Sequence, residues 1–312
     1  VKRLRALAIA EAANPEWASV PLVGWSHVQA LAEVADVHLV TQVRNRDAIC
    51  RAGWIEGRDF TAIDSEAVAA PLYKLAGLLR GGAGRGWTVT TALGSLTYYY
   101  FEHLLWQQFG HRIRAGEFDI VHRVTPLSPT AASPIAQKVR RANVPFVLGP
   151  LNGGLPWPRQ FDSARRAEFE WLSYVRGAYR LLPGYASTRR WASAILVGSK
   201  ATLEQMPRCW RHKCLYVPEN GIDTTRFTAV RSRKASRPLR VIFVGRLVTY
   251  KGPDMLLEAA ESLLARGELT LEFVGTGPLE ESLRQFVDER GLQPAVHFAG
   301  WVEHAQVQHR LA

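Results

Sequence analysis

The stretch Leu239-Arg-Val-Ile-Phe-Val-Gly245-Arg246-Leu-Val-Thr-Tyr-Lys251-Gly252-Pro253 reads as a strand, a glycine turn, an arginine, then a lysine at the entry to a helix. Open parallel sheets take their ligands beyond the carboxyl ends of the strands, so Arg246 and Lys251 are expected to project into that crevice. A guanidinium can grip two phosphate oxygens at once, and an ammonium adds a compact point charge. The N–H groups of a helix starting near Pro253 add positive potential. Together these suit a diphosphate, although two surface cations flanking a turn would give the same pattern.

Other candidate sites are weaker. Gly149-Pro-Leu-Asn152-Gly153-Gly154-Leu-Pro-Trp157-Pro follows an expected strand. Its glycines would admit a ligand near the backbone, with Asn152 and Trp157 as candidates for hydrogen bonding and stacking; a plain turn explains it equally. Gly81-Gly-Ala-Gly-Arg-Gly86 has no strand before it and reads as a connector. Gly275-Thr-Gly277 would need its third fingerprint glycine at Glu280, where an anion opposes a pyrophosphate, so a dinucleotide site is rejected. Cys209, His212 and Cys214 fall short of the four ligands of a structural zinc site, and three cysteines cannot all pair. No metal is expected.

The elements that must position these residues alternate. Expected strands are Leu4–Ala10, Val37–Thr41, Phe118–His122, Pro145–Gly149, Ala194–Gly198 and Cys214–Pro218, then Leu239–Gly245, Leu269–Val274 and Ala295–Gly300. Apolar residues at consecutive positions indicate strands covered on both faces, the mark of parallel α/β architecture. Helical periodicity appears at Val28–Ala35, Leu256–Leu264 and Leu279–Val287, the last two preceded by Pro253 and Pro278. Residues 67–115 break the rhythm with two helix-like segments. The basic stretch Ala229–Pro238 suits a linker, giving domains at 1–230 and 238–312. The second domain reaches three strands before the chain stops, and the sequence is expected to be unfinished there.

Composition agrees with a folded protein: 312 residues, 47% hydrophobic and 21% charged, which excludes disorder. No uncharged apolar run reaches the ~18–20 residues that span a bilayer, nor is there a signal-peptide pattern, so a cytoplasmic chain is expected. The net charge is +11, and 17 basic against 6 acidic residues between Arg159 and Arg240 account for all of it. Such a surface suits nucleic acid, anionic lipid or a phosphorylated small molecule, or is a solvated face.

The ordered series of strand, G-R-L, K-G, leucine-rich helix, V-G-x-G-P and V-x-F-x-G resembles the nucleotide-sugar domain of GT-B fold glycosyltransferases, specifically the retaining family 4. Asn220-Gly-Ile-Asp223-Thr-Thr-Arg-Phe227 is similar to the signature before that family's interdomain linker, and Ala194–Ser199 to the strand before it. Asp119-Ile-Val-His122 and Gly24-Trp-Ser-His27-Val28 are similar to acceptor-side elements of its first domain. The resemblance implies two Rossmann-like domains with parallel sheets facing across a cleft, the second incomplete here. It implies retaining, metal-independent hexosyl transfer from a nucleoside-diphosphate sugar to a glycan or lipid-linked acceptor, as in polysaccharide biosynthesis. Arg246 and Lys251 would stabilise the leaving diphosphate. Gly24 would let its loop approach the donor phosphates, Gly277 would belong to the donor site, and Val302 would lie beside the nucleobase. His122 would face the donor sugar, Arg123 would touch acceptor or phosphate, and Asn152, Gly153 and Trp157 would lie on the acceptor side, Trp157 stacking on a sugar; a strand-end imidazole bonded to backbone is the alternative for His122.

The family's second histidine of H-x-H is replaced by Val124, and its later Pro-Ser loop and E-x7-E element have no counterpart. Weak or absent turnover is therefore expected of residues 1–312 alone. Arg165–Leu182 mixes aromatic and basic residues, fitting either peripheral contact with an anionic membrane, at its inner face, or domain packing. The competing functions are a GT-B-like nucleotide-sugar epimerase and a basic nucleic-acid or scaffold protein. No nucleic-acid motif accompanies the charge, so no nucleic-acid partner is expected.

Overall fold

The computed structural model describes residues 3–68, 70–71, 87–153, 178–181, 183–221, 227–228 and 238–311. The Gly81–Gly86 connection, Trp157, the basic aromatic segment through residue 177, Asp223 and the linker at 229–237 lie outside the described residues. The chain divides into two compact units, one reaching Gly221 and the other beginning at Ile222.

The first unit is a parallel sheet with helices on both faces. Its elements are β1 (Leu4–Ala10), α1 (Val20–Val34), β2 (Ala35–Gln42), α2 (Arg46–Arg51), β3 (Phe60–Ile63), α3 (Trp87–Arg114), β4 (Ile120–Thr125), α4 (Ile135–Arg141), β5 (Phe146–Leu151), α5 (Tyr185–Trp191), β6 (Ala194–Val197), α6 (Lys200–Gln205) and β7 (Cys214–Tyr216). The seven strands run in the order β3-β2-β1-β4-β5-β6-β7. The order reverses between β1 and β4, so the carboxyl ends of those two strands flank the switch point where ligands of such sheets bind. Ala6–Ala10 are all buried, as consecutive apolar residues in a central strand demand.

Each face has its own core. On one, α3 presents Tyr98, Phe101, Leu105, Phe109 and Ile113 at steps of three and four residues against Leu7, Ile9, Val121 and Leu148. On the other, Trp25 and Val28 of α1 meet Ala8, Leu39 and Val124. Two expected boundaries are corrected. β4 begins and ends later than Phe118–His122, so His122 and Arg123 lie within the strand, their side chains on opposite faces. β3 was not expected: a four-residue edge strand has too few positions to show alternation.

Asp119 also differs from its expected acceptor-side place. It precedes β4 at the amino end of the sheet, where its carboxylate accepts from the Arg5 N–H at 2.8 Å and from both Nε (3.1 Å) and Nη2 (2.8 Å). This fork-to-carboxylate pair joins the amino ends of β1 and β4, far along the strands from their carboxyl ends.

The second unit contains β8 (Leu239–Val244), α7 (Pro253–Ala265), β9 (Leu269–Val274), α8 (Glu280–Glu289), β10 (Val296–Gly300) and α9 (His304–Leu311). Its described strands form a parallel sheet in the order β10-β9-β8. Phe273 is fully buried at its centre, 5.2 Å from the stacked Phe298 ring and 5.7 Å from Phe243. Leu257, Ala260 and Leu264 of α7 and Leu283 and Val287 of α8 complete this core. A core this small depends heavily on each large side chain. Phe273→Ala is therefore expected to cost about 3–5 kcal/mol, read from urea unfolding; a loss within the range of about ±0.5 kcal/mol typical of surface changes would contradict this packing.

Candidate functional site

Three loops leave the carboxyl ends of the second sheet, and main-chain hydrogen bonds knit them together. The Gly245 N–H donates to Val274 O at 2.9 Å, the Leu247 N–H to Thr276 O at 3.0 Å, and the Gly275 N–H to Gly300 O at 2.7 Å. The backbones approach so closely that a Cβ on Gly275 would lie 2.1 Å from Gly245 O, and one on Gly277 2.3 Å from Leu247 O. Gly277 thus serves first to let two main chains cross, a role distinct from the donor contact expected of it.

This platform carries both expected cations. Arg246 is exposed on the turn that follows β8. Lys251 is also exposed, and its Nζ folds back over the turn, 2.9 Å from where a Gly245 Cβ would stand. Among the described residues no side chain pairs with the Lys251 ammonium. Gly252 adopts the left-handed conformation (φ 65°) and enters α7, whose first turn has Pro253 and no side-chain cap. Its N–H groups therefore add partial positive charge beside the two cations, offset in part by Asp254 in the same turn. Val302 follows β10, half-buried, next to the exposed Trp301. The arrangement can bind an anion with two or more charges.

In the first unit, His122 faces α1. Its Nε2 bonds the Gly149 carbonyl at 2.7 Å, and its ring meets that of His27 edge-on at a centroid distance of 5.2 Å. Burial, with His27 and Arg123 nearby, holds the His122 pKa down at about 3; burial lowers that of His27 too. Both rings are neutral at pH 7. Because a carbonyl can only accept, Nε2 carries the proton and Nδ1 is left as an acceptor. Such a nitrogen can receive a hydrogen bond from a hydroxyl, but it is not a cation for phosphate.

Gly24 lies inside α1 rather than on a loop. A Cβ there would fall 2.1 Å from Ala12 O, so the residue is small to seat α1 on the β1–α1 connection. Arg123, expected to touch acceptor or phosphate, is wholly buried on the α3 face of the sheet. Asn152, just past β5, bonds Glu219 through Nδ2 and accepts from the Gly153 N–H at 2.8 Å and the Thr202 hydroxyl at 3.4 Å. Gly153 follows with φ 97° and open space where a side chain would stand.

Sequence reasoning passed over two groups here, one buried and one half-buried. Glu102, from α3, accepts from the Ser133 hydroxyl and from the Ile135 N–H at 3.0 Å, and burial pushes its pKa up to about 7. Glu219 anchors Asn152. Neither had a sequence signal beyond an acid within an apolar periodic stretch, in the case of Glu102, and an acid preceding Asn-Gly, in the case of Glu219. Among the described residues no group of three His, Cys, Asp or Glu side chains converges as a metal site, and no helix is long and apolar enough to cross a membrane.

Known proteins fit this geometry. Residues 226–312 match the family described as Glycosyl transferases group 1. A glycosyltransferase named for colanic acid biosynthesis, WcaL of Salmonella typhimurium, is 31% identical over 93 residues, 30% of this chain and 23% of the relative. The chain thus spans about a quarter of the length of such curated relatives. A glycosyltransferase from Rickettsia africae superposes with a TM-score of 0.59 at 10% identity, covering 99% of this chain and 71% of the other. Anabaena Alr3699/HepE, solved in complex with UDP and glucose, gives 0.54 at 14% identity, covering 98% and 72%. The fold, two units built on parallel sheets, is that of the GT-B glycosyltransferases.

The depressed pKa of His122 has a consequence for stability. In the unfolded chain His122 takes up a proton near pH 6.5, whereas the folded ring refuses it until about pH 3. Its contribution is therefore present above pH 6.5 and is lost as pH falls, by about 1.4 kcal/mol per unit. Glu102, with its pKa raised, acts in the opposite sense between about pH 4.5 and 7. The difference between the parent and His122→Gln isolates the histidine: urea midpoints from pH 7 to pH 4.5 are expected to fall less steeply in the variant. Parallel slopes would show that His122 titrates normally.

Proposed function

We propose that this chain belongs to a retaining glycosyltransferase of the family 4 kind, moving a sugar from a nucleoside-diphosphate sugar to a glycan or lipid-linked acceptor. The observation that carries the reading is the pair Arg246 and Lys251, held at the carboxyl end of the second sheet by glycine-dependent backbone crossings. The match of residues 226–312 to group 1 glycosyl transferases supports it, as does the likeness of fold to a protein solved with UDP and glucose.

The chemistry follows from charge. As the bond from anomeric carbon to diphosphate breaks, negative charge grows on the departing phosphate. Arg246 would grip its oxygens bidentately, Lys251 would add a point charge, and the first turn of α7 would contribute its N–H groups. Fixed cations in this role take the place of a bridging metal. His122, neutral with Nδ1 free to accept, would receive a sugar hydroxyl; Asn152 and Gly153 mark the acceptor side.

Each charge-assisted contact contributes about 1.5–3 kcal/mol, or roughly ten- to a hundredfold in Kd. Arg246→Ala and Lys251→Ala are each expected to weaken UDP or GDP binding by that factor in isothermal titration. If the parent binds and both variants retain its Kd, the two side chains do not hold the diphosphate.

A further inference from the structure

Among the described residues of the first unit two arginines are wholly buried, and the fold treats them differently. Arg189, on α5, lays its guanidinium 3.5 Å from the centroid of the Tyr185 ring and donates to Tyr185 O at 3.1 Å and Pro129 O at 2.6 Å. Arg123, in β4, has nothing comparable. Its Nε, Nη1 and Nη2 are all buried, and among the described residues none has a well-formed hydrogen bond. The guanidinium carbon lies 5.8 Å from the centroid of the Tyr98 ring; the Tyr98 hydroxyl is likewise buried, close enough to Arg123 and Glu102 to interact electrostatically with both but without a well-formed hydrogen bond to either. The nearest acid, Glu102, sits one turn beyond Tyr98 on α3 but directs its carboxylate to Ser133 and the start of α4.

A buried guanidinium without an acceptor is a costly arrangement, and it persists where something else supplies the acceptor. Arg123 pairs in register with Ile9 of β1 and Leu148 of β5, so it lies beside the switch point, two residues from the end of its strand. That end of an open parallel sheet is where ligands approach. The planar fork of a guanidinium matches the paired oxygens of a carboxylate or phosphate, and a phenol hydroxyl can donate to the same group. We propose that Arg123 and the Tyr98 hydroxyl form an internal receptor for one oxyanion, a carboxylate or a phosphoryl group. This goes beyond the diphosphate grip of Arg246 and Lys251 and uses none of its residues.

The test is made in the full chain carrying Arg246→Ala and Lys251→Ala, so that those two cations contribute nothing. Inorganic phosphate at millimolar concentration is expected to raise the melting temperature by several degrees over chloride of equal ionic strength, and adding Arg123→Met is expected to abolish the rise. An equal rise with and without Arg123, or no response to either phosphate or glucuronate, overturns the proposal. An Arg123-dependent response to glucuronate identifies a saccharide carboxylate as the ligand group; a response to phosphate alone identifies a phosphoryl group or the free ion. Should Arg123→Met fail to fold, Tyr98→Phe keeps the guanidinium and is expected to weaken the response several-fold. In crystals soaked with selenate, an anomalous peak within hydrogen-bonding reach of Arg123 supports the receptor, and peaks only elsewhere overturn it. Because diphosphate binding is read from different residues, either result leaves that reading separately testable.

Discussion

Main chain meets main chain at the carboxyl ends of both sheets, with no space for a side-chain carbon between. A Cβ would come within 2.1 Å of a carbonyl oxygen at Gly24 and Gly275, and within 2.3 Å at Gly149 and Gly277. Contacts this short exclude every residue but glycine, because what they strike is backbone, which cannot swing aside as a side chain can. In the second unit the constraint locks the three strand-end loops into one surface, and Arg246 and Lys251 ride on it. In the first unit, Gly149 lets its strand-end backbone approach Leu196, and its carbonyl orients His122. Charge placement in this protein therefore begins with the absence of side chains.

The two units handle charge in opposite ways. On the second sheet the cations are exposed, their fields screened by solvent. In the first, His27, His122, Glu102 and Arg123 are shielded, and burial drives each of them toward its neutral form. The exposed pair is suited to attracting and holding a highly charged group. The shielded set is suited to discrimination, since an unpaired donor or acceptor out of water penalises any ligand that fails to match it.

Much of this was readable in the sequence, and what was missed has a common cause. Strands β1 and β9 fall where consecutive apolar residues placed them, and α7 begins at Pro253 as its helix-start pattern required. Arg246 and Lys251 were legible because strand, turn and helix start are local features, and local features fix where a loop residue emerges. Arg123, Asp119 and Gly24 were not, and for His122 the imidazole bonded to backbone was one of two readings, because their surroundings come from distant segments. Asp119 is explained by Arg5, Gly24 by Ala12, and His122 by Gly149 and His27. A strand pattern shows that neighbours point to opposite faces, yet it does not say which face receives α1 and which α3.

That last ambiguity decides what His122 and Arg123 can do. Adjacent in β4, they stand on opposite sides of one sheet, so a single ligand on one face cannot be shared between them without passing through the strand. His122 belongs with α1 and the Gly149 carbonyl; Arg123 belongs with α3 and Tyr98. The connection after β4 is fastened from several sides: Leu127 O to the Asn152 N–H, Pro129 O to Arg189, the Ser133 N–H to Thr188, and its end to Glu102. These anchors tie the connection to α3, α5 and the end of β5, and the helix it leads into, α4, packs with α3 on the Arg123 face. A substitution at Glu102 therefore acts on the Arg123 face, and one at His27 on the other.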